Sequence, residues 1–258
     1  MKRVERFVRF AAGKEVLYGK LGGEGIQALE GDIFGDYRET GRQYELKDVR
    51  LLAPCQPSKA VCVGLNYRRH AAELTMAVPE EPVIFIKPST SVIAPGDEIV
   101  YWPMVRQLDY EAELVVVIGR EAHNVAEGDA EQYIFGYTVG NDVTARDLQR
   151  KDGQWTRAKG FDTFLPFGPH IARGIDVTDL RVQSFLNGEL RQNGRTSDLI
   201  FPVPYLVSFI SKVMTLLPGD LIMTGTPEGV GPMQVGDTIE IKVEQIGSLI
   251  NKIVAPRS

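Results

Sequence analysis

The stretch from Leu108 to Gly119, LDYEAELVVVIG, constrains this chain more than any other. It begins in alternation, with Asp109, Glu111 and Glu113 at every second position and Tyr110, Ala112 and Leu114 between them. Successive side chains of a β-strand point to opposite faces, so the three acids would share one face. Val115, Val116, Val117 and Ile118 then form the apolar run of a strand entering a core covered on both sides. Carboxylates stacked beside a core are electrostatically costly, and a divalent cation would remove the cost.

The 258 residues, 43% of them hydrophobic, suffice for one large domain, or a main domain plus a small one, with a sizeable core. Twenty-nine Lys and Arg against 34 Asp and Glu give a net charge of -5, with no basic block. Neither nucleic acid nor an anionic membrane surface is therefore expected as a partner. No apolar run approaches the ~18 residues of a membrane span, and no apolar segment follows the basic N-terminal residues, so no signal peptide is expected. Cys55 and Cys62, the two cysteines, fit no zinc spacing and read as reduced, buried thiols of a cytoplasmic protein. The sequence holds no internal repeat and no low-complexity segment.

Along the chain, 6–10, 15–19 and 25–29 read as short strands, and Pro54 and Pro57 mark a joint between a small N-terminal β domain, 1–54, and a main domain, 55–258. Residues 59–64 read as a buried strand. Residues 65–74 read as a helix with Asn66 as its N-cap. His70 and Glu73 are three apart and would be neighbours on that helix, either as an oriented base or as an ordinary surface pair. Lys87 ends the apolar strand 82–88, partly desolvated or snorkelling. A turn at 94–97 leads into 98–101.

A helix is expected over 126–134, and a strand over 136–143 ends at Asp142. Thr144 and Asp147 then form an approximate capping box. Asp142 at this strand-to-helix turn is either a ligand or a turn aspartate. Residues 153–161 read as a polar connection in which Lys159 precedes Gly160. Asn187-Gly188 is the strongest hairpin signal in the chain. Leu206, Phe209, Ile210 and Val213 share one face of a helix over 205–213 and are expected in the core. The glycine-rich loop after strand 221–224 matches neither a P-loop nor a dinucleotide fingerprint. Alternating strands over 236–244 and 248–254 close the chain. No G-x-S-x-G supports a nucleophilic serine, and His123 and His170 read as structural.

A site built from Glu111, Glu113 and Asp142 would offer only oxygen ligands. That selects a hard cation, Mg²⁺ or Mn²⁺ first and Ca²⁺ next, over zinc or copper. Asp109 would stand roughly 7 Å from Glu111 along the strand, too far to be counted as a ligand. It reads as a support for the ligands or as a solvated acid.

Taken together, the runs Gly64 to Tyr67, His70-x-x-Glu73, Phe85 to Pro88, Tyr110 to Leu114, Asn141 to Asp147, Lys159 and Thr224 to Gly231 resemble the fumarylacetoacetate hydrolase family. The likeness covers about 58–254 in order, and residues 1–53 resemble the small N-terminal domain of many bacterial members. It implies an α+β, β-rich fold, a mixed β-roll or β-sandwich with peripheral helices, and a homodimer. It implies Mg²⁺ or Mn²⁺ held by Glu111, Glu113 and Asp142, and a base pair of His70 and Glu73 on a lid-like segment. Lys87, Arg146, Gln149, Lys159 and Thr226 would line the substrate site, with Lys159 and Thr226 on the carboxylate end of a small 2-oxo acid. Such a site can hydrolyse a C–C bond of an acylpyruvate, which the His70 and Glu73 pair favours. It can also isomerise 2-hydroxyhepta-2,4-diene-1,7-dioate or decarboxylate an oxaloacetate-type acid. A metabolite-binding protein that kept the metal site is the reading from outside enzymology.

Overall fold

A computed structural model describes residues 4–23, 25–73 and 77–257. Met1 to Arg3, where the leader expectation fell, and Leu74, the expected helix end, lie outside them. The architecture is the β-rich α+β one expected. Ala112–Ile118 lies inside a twelve-stranded sheet, between Ile134–Asn141 and Leu221–Met223. The sheet continues through Lys59–Gly64 to the edge strand Val83–Pro88. In the other direction it passes through Leu165–Arg173 to Glu5–Ala12 and the meander Glu15–Gly22, Gly25–Gly31 and Tyr37–Tyr44. Strands on both sides of the joint at Pro54 and Pro57 are thus hydrogen-bonded into one sheet.

A five-stranded sheet, in the order Glu189–Arg195, Arg181–Leu186, Thr238–Val243, Gly247–Val254 and Glu98–Val100, packs against the first. Every residue of Ala112–Ile118 is buried, and its two faces serve different cores. Leu114, Val116 and Ile118 join Val182, Ile241 and Leu249 of the second sheet. Val115 and Val117 join Phe7, Phe167 and Met223 on the opposite face. Burying each such side chain contributes roughly 1.5–3 kcal/mol.

Helix α4 (Val203–Val213) covers the first core, although Val213 points to solvent at its last turn. Val203, Leu206, Val207 and Ile210 form its buried stripe, shifted from the expected one, and Phe209 is only half-buried. The hairpin at Asn187-Gly188 is present, with φ values of 53° and 84° that suit a type I′ turn. Tyr37–Tyr44 was not anticipated, because its exposed polar run carries no apolar alternation. Residues 127–133 form a 3₁₀ helix.

Several local expectations fail. The helix after Gly64 is shorter, α1 (Arg68–Glu73), and Asn66 does not cap it. The Asn66 amide instead donates to the carbonyls of Phe201 and Thr224 at 3.0 and 2.8 Å and accepts from the Phe201 N–H at 2.7 Å. Thr144 does not cap α2 (Arg146–Asp152) either; its hydroxyl donates to the Asp142 carbonyl. Asp147 accepts from the N–H groups of Arg106 and Gln107. The connection 153–161 contains a short helix, α3 (Thr156–Lys159). His170 stands inside the strand Leu165–Arg173, and both cysteines are buried and unpaired. Among the described residues no helix is long and apolar enough to cross a membrane.

Candidate metal and substrate site

The acid-bearing stretch is not one strand. It breaks at Glu111 into Leu108–Tyr110 and Ala112–Ile118. At the break the Glu111 N–H donates to the Asn141 side chain, and the Glu111 carbonyl accepts from the Asp142 N–H, both at 2.9 Å. This clasp holds the end of Ile134–Asn141 against the break. Asp142, one residue beyond that strand, therefore faces Glu111 and Glu113, and one carboxylate oxygen from each lies within 4.8 Å of the others. All three side chains are buried.

Charge is matched unequally around the trio. Lys159, at the end of α3, donates to Glu111 at 2.8 Å and to Asp142 at 2.6 Å. Lys87 pairs with the other oxygen of Asp142 and donates to the Val143 carbonyl at 2.9 Å. Arg146, opening α2, pairs with Glu111, holds Asp109 at 2.8 Å and donates to Gln149 at 2.6 Å. Among the described residues Glu113 receives only the Gly225 N–H, at 2.8 Å. Four buried carboxylates, Asp109 included, thus face two buried lysines and the part-buried Arg146, and Glu113 is the one without a cationic partner among the described residues.

The titration behaviour follows. Burial and the neighbouring Asp142 and Glu111 charges push the Glu113 carboxyl well above the usual range. Glu111 is equally buried, but Lys159 and Arg146 outweigh that penalty and hold it well below the usual range. A divalent cation would answer the charge that Glu113 leaves unmatched, so the donor set fits a hard ion such as Mg²⁺.

Across a cavity of about 100 Å³ stands α1. His70 Nδ1 lies 3.0 Å from Glu73, which in turn accepts the Gly229 N–H at 3.2 Å. A carboxylate only accepts, so Nδ1 carries a proton, and the basic nitrogen of the neutral ring is Nε2. The glycine-rich loop serves both walls through its amides, Gly225 on Glu113 and Gly229 on Glu73. Both glycines have positive φ, and a Cβ at Gly229 would meet the Arg191 carbonyl at 2.4 Å.

The trio, His70, Arg146, Gln149, Lys159 and Thr226 line the cavity together with Phe85, Trp155 and Leu65. Lys87 does not line it. Fully buried, it stands behind Asp142 and cannot meet a substrate while the Asp142 and Val143 contacts hold it. Asp109 is a buried support for Arg146, not a solvated acid. Sequence reasoning missed Asn141, Trp155 and Gln192. Asn141 opens one of the runs that carry the family resemblance, and Trp155 packs so close to Gly64 that a Cβ there would meet its ring at 2.6 Å.

The fold and site define a β-rich protein with a buried all-oxygen centre able to hold a hard divalent cation beside a histidine–glutamate pair. The chain belongs to the fumarylacetoacetate hydrolase family. Residues 59–254 match the family described as fumarylacetoacetate (FAA) hydrolase C-terminal, and residues 5–54 match Rv2993c-like, N-terminal.

A solved 5-carboxymethyl-2-hydroxymuconate delta-isomerase from Mycobacterium smegmatis is 46% identical, with a TM-score of 0.92 over 97% of this chain and 100% of that one. A 2-hydroxyhepta-2,4-diene-1,7-dioate isomerase from Mycobacterium marinum is 44% identical, also at 0.92, over 98% and 100%. The human mitochondrial oxaloacetate tautomerase FAHD2A is 41% identical over 220 residues, covering 80% of this chain and 70% of that protein.

Proposed function

We propose that this chain is a divalent-metal-dependent enzyme that moves a proton on a small 2-oxo acid by way of its enolate, as a tautomerase or isomerase. The observation that carries the proposal is the pairing of two unlike walls on one small cavity. Glu111, Glu113 and Asp142 would hold the ion, which when bound withdraws electrons from the 2-oxo carbonyl. His70 Nε2 takes a proton from the carbon beside that carbonyl, and Glu73 stabilises the charge on the ring. The imidazolium then returns the proton to the enolate oxygen or to a different carbon. Lys159, Arg146 and Thr226 hold the acid's carboxylate, and Phe85 and Trp155 exclude water. The names of the related isomerases and tautomerase support this choice.

C–C hydrolysis of an acylpyruvate is the second reading. Glu73 is part-exposed, which gives water a path to the same base. The proposal includes a homodimer in the cytoplasm, with light scattering as the test of its size. A substrate panel with and without Mg²⁺ tests the reaction: oxaloacetate, a 2-hydroxy-dienedioate, acetylpyruvate and fumarylpyruvate. Metal-dependent tautomerisation or isomerisation is expected. Faster cleavage of the acylpyruvates would replace it with hydrolysis, and carbon dioxide release from oxaloacetate with decarboxylation. Binding without turnover would make this a metabolite-binding protein.

A further inference from the structure

Gln192 is a fully buried side chain on Glu189–Arg195, tied to both halves of the site. Its Oε1 accepts the Ala112 N–H at 3.0 Å, between Glu111 and Glu113. Its Nε2 donates to the Pro227 carbonyl at 2.8 Å. A backbone N–H can only donate and a carbonyl can only accept, so the amide has one orientation. The second Nε2 proton goes to Thr226 Oγ1, 2.8 Å away. The Thr226 hydroxyl is thereby an acceptor on its inner side. Its own proton has no partner among the described residues, and Thr226 lines the cavity.

The contact depends on a close approach of hairpin and loop. A Cβ at Gly194 would stand 2.4 Å from the Pro227 side chain. We infer that Gln192 is a positioning residue that fixes the Thr226 hydroxyl as a hydrogen-bond donor into the cavity, so that this wall reads a carboxylate oxygen of the substrate. The inference rests on the 2-oxo acid reading above and names which group would recognise the acid.

The test is calorimetric titration of the Mg²⁺-loaded protein with oxalate, an unreactive mimic of a 2-oxo acid. Gln192→Glu keeps an acceptor for the Ala112 N–H but replaces both donors, and its carboxylate captures the Thr226 proton. Oxalate should bind roughly 10- to 100-fold more weakly, the worth of one hydrogen bond to a charged group, with Mg²⁺ affinity retained. Thr226→Val should lose as much, and the double variant no more than Thr226→Val alone. Parent-like affinity in Gln192→Glu, or losses that multiply in the double variant, would overturn the inference. If Gln192→Glu fails to fold by circular dichroism, Thr226→Ser and Thr226→Val decide. Equal oxalate affinity in those two removes the donor role, and tighter binding by Thr226→Ser supports it. A parent that binds neither Mg²⁺ nor oxalate sinks the 2-oxo acid reading and this inference together. A parent that binds both, with unaffected variants, sinks only the role of Gln192.

Discussion

The two walls of the cavity are built on opposite principles. On one, Glu111, Glu113 and Asp142 are buried on sheet strands and their ends, and three cations are locked among the acids by side-chain and backbone contacts. On the other, His70 sits on a six-residue helix and is oriented by a single part-exposed glutamate that borrows one loop amide. The first wall is a preorganised charge array in which the fold matches every acid except Glu113. The second is a single base held by one carboxylate contact. An ion needs several fixed ligands, whereas proton transfer needs one base within hydrogen-bond reach of the proton it takes. The glycine-rich loop links the two, because its amides touch Glu113 and Glu73 within five residues.

Removing one group from each wall should separate their roles. Glu113→Ala is expected to abolish both Mg²⁺ binding and turnover. The stabilisation that Mg²⁺ gives the parent, about 2.7 kcal/mol at a hundredfold excess over Kd, should vanish in thermal melts. Retained activity in that variant after chelation would remove the metal assignment. His70→Ala should lower turnover by roughly 10²- to 10⁴-fold, the usual worth of a general base, and leave calorimetric Mg²⁺ binding intact. If His70→Ala also lost Mg²⁺, the walls would be one unit and the contrast would collapse.

Lys159 tests whether the first wall is balanced without an ion. Lys159→Met leaves Glu111 and Asp142 without their shared ammonium. Breaking a buried pair on one side costs about 3–5 kcal/mol, which urea denaturation of the metal-free variant should register. Added Mg²⁺ should restore more stability to this variant than to the parent, because the same oxygens gain a cation. An equal response in both would show that Lys159 and the ion do not share charge.

Much of this was legible in the sequence where the signal is local. Lys59–Gly64 runs between the residues that the apolar pattern gives, and Asn187-Gly188 makes its turn. Glu111, Glu113 and Asp142 come together as the acidic spacing and the family resemblance suggest. What was hidden depends on partners far along the chain. Asn66 and Thr144 have the chemistry of caps, yet Phe201, Thr224 and the Asp142 carbonyl take their hydrogen bonds. Periodicity gives Lys87 a strand end but says nothing of Asp142, 55 residues later, which draws the ammonium behind the cavity. Gln192 sits on an exposed-looking hairpin, and the packing of Gly194 against Pro227 and the bond to the distant Ala112 N–H hold it at the site.

The smallest expected effect lies outside both walls and exposes one of them. His170 is buried with Nε2 unpartnered, and burial, reinforced by the Arg6 charge, lowers its pKa from 6.5 to about 4. Between those values the unfolded chain binds a proton that the folded chain refuses. Stability present above pH 6.5 is therefore lost as pH falls toward 4, by up to roughly 3 kcal/mol. Glu113 in the metal-free protein has the opposite sign. Its raised folded pKa means that the folded chain binds the extra proton, so its contribution to stability grows as pH falls toward 4.5. In the parent the two slopes oppose each other. His170→Gln should remove the first and leave a metal-free protein that loses less stability on acidification, read from urea midpoints between pH 7 and 4.5. Saturating Mg²⁺ holds Glu113 ionised and should erase the remaining upward slope. An acid profile in His170→Gln that matches the parent would mean that His170 is accessible to protons in the folded state. The unmatched charge at Glu113 would then have to be measured directly, by carboxyl titration in the metal-free protein.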